Sequence, residues 1–217
     1  FQTGLNLNNT LTIQAGNEGA YAGLSINRQD REFIIADDKL KKTSVTLNGG
    51  FKLGKLSLDG SATYINRSVS TTTSDLYTNL LQTSVEIPIT AFKNSPHPYG
   101  SNKYYQNPYW TMRNVRNNSK VDILNGTVSL GYKINDNISI TNTGTAQITS
   151  TDVLNYNNGY VANQATPIIN SSVAAITSSL AQSNSIVRYF YNDLMANLNY
   201  DLTSDINFKL NVGYNVQ

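Results

Sequence analysis

The sequence predicts an all-β chain: the wall of a transmembrane, antiparallel, up-and-down β-barrel with about eight strands. Three observations predict it. Apolar and polar residues alternate with a period of two through long runs, charged side chains are scarce, and very short turns alternate with long connections.

The alternation is cleanest in "KKTSVTLNGGFKLGKLSLDGSATY". Val45, Leu47, Phe51 and Leu53 share one face with Gly49, and Ser44, Thr46, Asn48, Gly50 and Lys52 share the other. After a pause at Gly54 and Lys55, Leu56, Leu58, Ala62 and Tyr64 oppose Ser57, Asp59, Ser61 and Thr63, which makes a hairpin with a very short turn. The same grammar recurs at 8–15 and 20–28 around "GNEG", at 124–134 and 138–148 around "NDN", and at 194–202 and 206–214 around "TSD". Leu124, Val128, Leu130, Tyr132 and Ile134 form one apolar row. Leu194, Ala196, Leu198, Tyr200 and Leu202 form a second, and Ile206, Phe208, Leu210, Val212 and Tyr214 a third. Such runs have the roughly nine to eleven residues that a tilted membrane-crossing strand needs.

Composition narrows where the apolar face can go. Only 14% of the 217 residues are charged, against about 25% in soluble domains. The polar faces carry Asn, Thr, Ser and Gly, which suit enclosed water or packed protein better than bulk solvent. A soluble sandwich, as in a β-rich adhesin, would show the same alternation; strand length and charge depletion favour lipid on the apolar side. Tyr132, Tyr200 and Phe51 lie near the short turns and Tyr64 and Tyr214 near the other strand ends, as two interfacial aromatic levels would. A net charge of +2 without a basic run gives no nucleic-acid footprint, and the absence of cysteine removes thiol chemistry. No run of about 18 apolar residues predicts a membrane-spanning helix.

The long connections fall near 29–40, 69–119 and 149–185, and are expected to be extracellular, with the short turns periplasmic. "SDLYTNLLQTSVEIPI" is expected to open with a short helix capped by Ser74 and then to extend ahead of Pro88; "INSSVAAITSSLAQSNS" is expected to hold another helix. The opening "FQTGLNLNN" shows no signal peptide, and "NVGYNVQ" lacks the terminal aromatic that commonly closes an outer-membrane barrel chain. With loops too bulky for a narrow rim, the chain is expected to be an arc of a wider barrel.

No constellation predicts an enzyme, a metal or a cofactor. His97 lies between two prolines without an evident partner, and Asp30, Glu32, Asp37 and Asp38 lack the spacing of a calcium loop, so they are expected to form a solvated acidic loop. Gly49, Gly50 and Gly54 precede no helix and suit strand bends and turns instead of a phosphate cradle. The aromatic cluster "YGSNKYYQNPYW" supplies the candidate contact residues: Tyr99, Tyr104, Tyr105, Tyr109 and Trp110. Their rings can stack on a substrate or a partner lid, or pack the loop on itself.

"NPYWTMRNVRNNSKVDILNGTVSLGYKINDNISITNTGTAQ" resembles the SusC/RagA-type TonB-dependent transporters of the Bacteroidota outer membrane, where an "NPYW"-like loop end precedes a polar stretch, a strand, a short turn and a returning strand. "LNNTLTIQAGNEGAYAGLSINRQDREFI" looks like that family's first barrel hairpin. The resemblance implies a plugged barrel of about 22 strands, with the plug domain, TonB box and later strands absent from this sequence. It also implies import of oligosaccharides or peptides across the outer membrane, a SusD-like surface lipoprotein as partner, and TonB, reached through the missing N-terminal region, as energy source. The alternative is a structural barrel subunit of a larger outer-membrane surface or secretion assembly.

Overall fold

In the computed structural model, which describes residues 2–98, 106–161, 175–201 and 203–217, eight strands pair strictly in chain order and antiparallel throughout. They are β1 (Leu5–Gly16), β2 (Ala20–Glu32), β3 (Lys39–Leu53), β4 (Leu56–Thr71), β5 (Val115–Lys133), β6 (Ile138–Asn157), β7 (Ser179–Asp201) and β8 (Asn207–Val216). The expected hairpins are all present.

Residues paired across an antiparallel ladder share a face, so the register extends the alternation from strand to strand. Val45 pairs with Tyr64 and Tyr64 with Leu124, while Leu58 pairs with both Phe51 and Leu130. One face is therefore apolar. Leu11, Leu47, Phe51, Val128, Leu130, Phe208 and Val212 are all more than 40% exposed on it, with no second sheet among the described residues to cover them. The aromatics Tyr64, Tyr132, Tyr200 and Tyr214 stand exposed on the same face.

The opposite face is held by short polar side chains. Hydroxyls pair directly across strands in Thr12–Ser25 (3.1 Å), Thr46–Thr63 (3.0 Å), Thr127–Thr145 (3.2 Å) and Ser129–Thr143 (3.0 Å). The Asn27 amide donates to Asn8 Oδ1 (2.8 Å) and Thr10 Oγ1 (2.7 Å). Each such cross-strand pair contributes about 0.2–1 kcal/mol. Tyr21 lies across β3 to donate to Asp59 Oδ1 at 2.8 Å. Gly50 permits that crossing, since a Cβ there would stand 2.7 Å from the Tyr21 ring and closer still to the Asp59 carboxylate.

The short turns close on local acceptors. Asn17 Oδ1 accepts from the Gly19 and Ala20 amides (2.8 and 2.9 Å), and Asn135 Oδ1 from those of Asn137 and Ile138 (both 2.9 Å). Between β3 and β4, Gly54 turns the chain at φ +58°, in the left-handed region that glycine enters without a Cβ clash.

At their other ends the strands run well past the expected boundaries. β5 begins at Val115 and β7 at Ser179, where alternation alone starts them near 124 and 194, and β2 with β3 leaves only 33–38 between them. Backbone pairing needs no apolar face, so the ladders continue through stretches such as "VRNNSK" that are polar on both sides. The expected helix near 169–185 is absent from its described part, where Ile176 bridges Tyr160 and β7 follows; residues 169–174 lie outside the described residues.

Among the described residues the helices are α1 (Asp75–Gln82), α2 (Pro108–Asn114) and a short 3₁₀ turn, Ile89–Phe92. Ser74 precedes α1 as expected but makes no capping bond, because it is already in helical conformation; the Thr73 hydroxyl accepts from the Asp75 amide instead (3.3 Å). The segment ahead of Pro88 forms turns and is not extended.

Candidate functional site at the loop end of the sheet

Buried apolar side chains among the described residues are Ile35, Leu76, Pro98, Trp110 and Val121. Val121 belongs to the loop-end half of β5, and the others belong to the 33–38 loop, α1, the second loop and α2, so the buried side chains among the described residues stand at the loop end of the sheet.

A buried ion pair ties this platform down. Asp38 accepts from Arg116 Nη1 at 2.9 Å and from the Thr72 amide at 2.8 Å, with both charged side chains 7% exposed. Arg116 further donates to the Asp37 carbonyl (2.8 Å), Ser70 Oγ (2.9 Å) and the Met112 carbonyl (3.2 Å). Burial lifts the Asp38 carboxyl above its ordinary value, against the lowering by the Thr72 amide and Arg116. Asp37 takes the left-handed φ of 69° that presents its carbonyl here, a conformation aspartate tolerates better than most residues.

The second loop is pinned to α2. Asn107 caps that helix through its side chain to the Tyr109 amide (3.1 Å), donates to the Phe92 carbonyl (2.9 Å), and is followed by Pro108 at the first helical position. Arg113 donates to the carbonyls of Lys93 (2.7 Å) and Ser95 (2.8 Å). The third loop joins through Asn158, whose amide reaches the Asn114 carbonyl at 2.9 Å, and through Tyr160, whose hydroxyl meets His97 Nδ1 at 3.0 Å with the rings edge to face.

Two expectations are corrected by these contacts. His97 has a partner, Tyr160, 63 residues away, and serves as an inter-loop contact. The acidic stretch is not a freely solvated loop: Asp38 is buried against Arg116, and Asp30 meets Arg28 at 2.8 Å. No group of three metal-ligating side chains occurs among the described residues.

Of the aromatic candidates, Tyr109 and Trp110 stand side by side on α2, Tyr109 half-buried and Trp110 only 3% exposed. Tyr99, Tyr104 and Tyr105 lie outside the described residues. Sequence reasoning placed Asp38 only in an acidic loop and missed its partners Thr72 and Arg116. The capping pair Asn107–Pro108 was a readable helix start inside the "NPYW" stretch.

Beside the platform a cleft of about 640 Å³ opens between β1, β2 and the start of α1, lined among others by Asn6, Arg31, Phe33, Thr71 and Tyr77. Its size suits a small ligand or the end of a larger one. Arg31 stands over the Phe33 ring, 5.1 Å from its centroid.

The chain matches no protein-family model and has no significant match among curated proteins. Solved structures match it in fold. The ferric-catecholate import receptor Fiu from E. coli K12, in its open form, superposes over 98% of this chain and 32% of its own, with a TM-score of 0.58 and 15% identity. The closed form of Fiu covers 98% and 30%, with a TM-score of 0.55 and 17% identity. The RagAB peptide importer in its open-open state is a more distant match: 96% and 31% covered, TM-score 0.39, 10% identity. The chain thus spans about a third of the length of the solved chains it matches, and at these identities the likeness concerns the fold. That fold is all-β: antiparallel, up-and-down strands in one sheet, shared with part of an import receptor.

Proposed function

We propose that this chain is the wall of a SusC-like, TonB-dependent outer-membrane transporter that imports oligosaccharides or peptides. The observation that carries the reading is the single sheet with one exposed apolar face and one face of hydroxyls and amides, superposing along nearly its whole length on an import receptor. An apolar surface of that extent suits lipid, where every backbone group must pair within the sheet. The polar face then lines the lumen, and the loop end, with its packed platform, meets the outside. In this reading a plug and a TonB box belong to the rest of the transporter, which is built on about 22 strands. A SusD-like lipoprotein closes over the loop end, with Tyr109 on α2, and Tyr99, Tyr104 and Tyr105 before it, as the contact surface, while the buried Trp110 anchors the helix that carries Tyr109.

The test is uptake by cells expressing the full-length protein, with and without TonB. Energised import that stops when TonB is removed supports the reading. A detergent-extracted barrel that co-purifies with assembly proteins and imports nothing would instead make it the structural subunit of a surface or secretion assembly. Replacing Tyr104 and Tyr105 with Ala should weaken lipoprotein co-purification about thirtyfold without changing heat-modifiable gel mobility, the loss expected on truncating a central interface aromatic.

A further inference from the structure

The charges of the loop-end half are divided unequally between the two faces. On the apolar-face side they are of both signs: Arg28 pairs with Asp30, Lys120 with Asp122 and Arg116 with Asp38, and Glu32 lies there with Lys39 and Lys41. The register puts Arg31, Lys42 and Arg67 on the polar face. No aspartate or glutamate shares that half of the polar face among the described strand residues; its first carboxylates, Asp59 and Asp193, lie toward the short turns. Lys42 pairs directly with Arg67 in the ladder, and neither makes an ion pair or a side-chain hydrogen bond with a described residue.

Like charges directly opposite one another in a ladder repel. No carboxylate among the described strand residues offsets that repulsion, whereas an anion laid over the two side chains does. Paired residues stand about 5 Å apart and diagonal ones about 7–8 Å. Lys42 and Arg67 are therefore close neighbours, and Arg31 is one diagonal step from Lys42, beside the cleft it helps to line. The three cations are strung out instead of converging on a point, which fits several separate anionic groups better than one compact oxyanion. The arginines present planar forks that match carboxylates, and the lysine adds a mobile point charge.

We propose that the loop-end half of the polar face is an anion-selecting surface, and that the imported substrate is an oligomer bearing carboxylates. This rests on the import reading for its biological meaning, and it names the substrate class of that same wall. A carboxylate-bearing sugar and an acidic peptide share the chemistry.

The experiment is equilibrium binding to the full-length protein in detergent, without TonB, using trigalacturonate, triglutamate and neutral maltotriose as probes. The surface predicts binding of at least one acidic probe over maltotriose, and which acidic probe binds identifies the source of the carboxylates. The Lys42→Gln/Arg67→Gln double variant should bind that probe about tenfold or more weakly. The Lys39→Gln/Lys41→Gln variant removes the same charge from the other face of the same strand and should bind as the parent does. Heat-modifiable mobility confirms that both variants are folded barrels. The proposal is overturned by equal losses in the two variants, by unchanged binding in the first, as when a carboxylate elsewhere in the transporter already occupies these cations, or by failure of the parent to bind either acidic probe. Tight binding without TonB-linked uptake would count against the import reading and leave the anion surface standing.

Discussion

The two ends of the sheet are built on different principles. At the short-turn end the turns are shaped by local contacts: Asn17 and Asn135 accept amides two and three residues on, and Gly54 supplies a left-handed turn. At the loop end the ties run between residues far apart in sequence, Asp38 with Arg116 across 78 residues and His97 with Tyr160 across 63. Neighbouring turns are also stitched together, Lys55 Nζ donating to the Ile134 carbonyl and the Asn137 side-chain amide to the Asn199 carbonyl, but these contacts are exposed where the loop-end ion pair is buried. Long-range closure makes a platform that depends on a few buried polar contacts, and it is beside this platform that the cleft and the polar-face cations Arg31, Lys42 and Arg67 lie.

The sharpest way to break this comparison is at Asp38. Asp38→Ala leaves the Arg116 guanidinium buried without its carboxylate, which costs about 3–5 kcal/mol. The cost should stay at the loop end. Hydrogen exchange at the Thr72 amide, which loses its acceptor, should accelerate about a hundredfold or more, while the turns keep their protection. Uniform acceleration along the strands would mean that the two ends are one cooperative unit.

A second test separates the faces. Leu130→Arg places a cation on the exposed apolar row, at a cost of about 2–4 kcal/mol near the midplane of a bilayer, and should impair membrane assembly. Ser129→Arg, one residue away on the polar face beside Thr143, should assemble far better. Heat-modifiable mobility of the membrane fraction reads both, and equal assembly would argue against lipid on the apolar side.

At the turn end the expected effect is smaller. Gly54→Val forces a β-branched residue into a left-handed conformation, costing about 1–2 kcal/mol, and should lower the urea midpoint of the barrel without disturbing the Thr72 amide. A loss of loop-end protection in this variant would contradict the independence of the two ends.

The same contrast explains what could be read from the sequence. The hairpins and their faces were legible because a period-two pattern and a short turn are both local signals, as in the Val45 to Tyr64 run. The loop-end extensions of β5 and β7 were not: the start of β5 is polar on both faces, and in β7 the adjacent Ile186 and Val187, then Tyr189 and Phe190, put apolar residues on both faces, so alternation vanishes while backbone pairing continues. The α1 helix was legible from its composition, but its cap was not, because Thr73 replaces Ser74 as the acceptor. Asp38 and Arg116 carry no mutual signal in the sequence; only the fold of the intervening hairpin brings them together. The opposition of Lys42 and Arg67 likewise appears only once the register is known.

The most direct test of the central claim, that the loop end faces outside and the short turns face inward, is single-cysteine labelling of the full-length protein on intact cells. Ser95, whose carbonyl is held by Arg113 in the platform, and Ser204, in the last short turn, are the two positions. These 217 residues contain no cysteine, and any elsewhere in the full-length protein is first replaced by serine. With a membrane-impermeant reagent, Ser95→Cys should label on intact cells and Ser204→Cys only after the outer membrane is opened; preferential labelling at position 204 on intact cells would contradict the account.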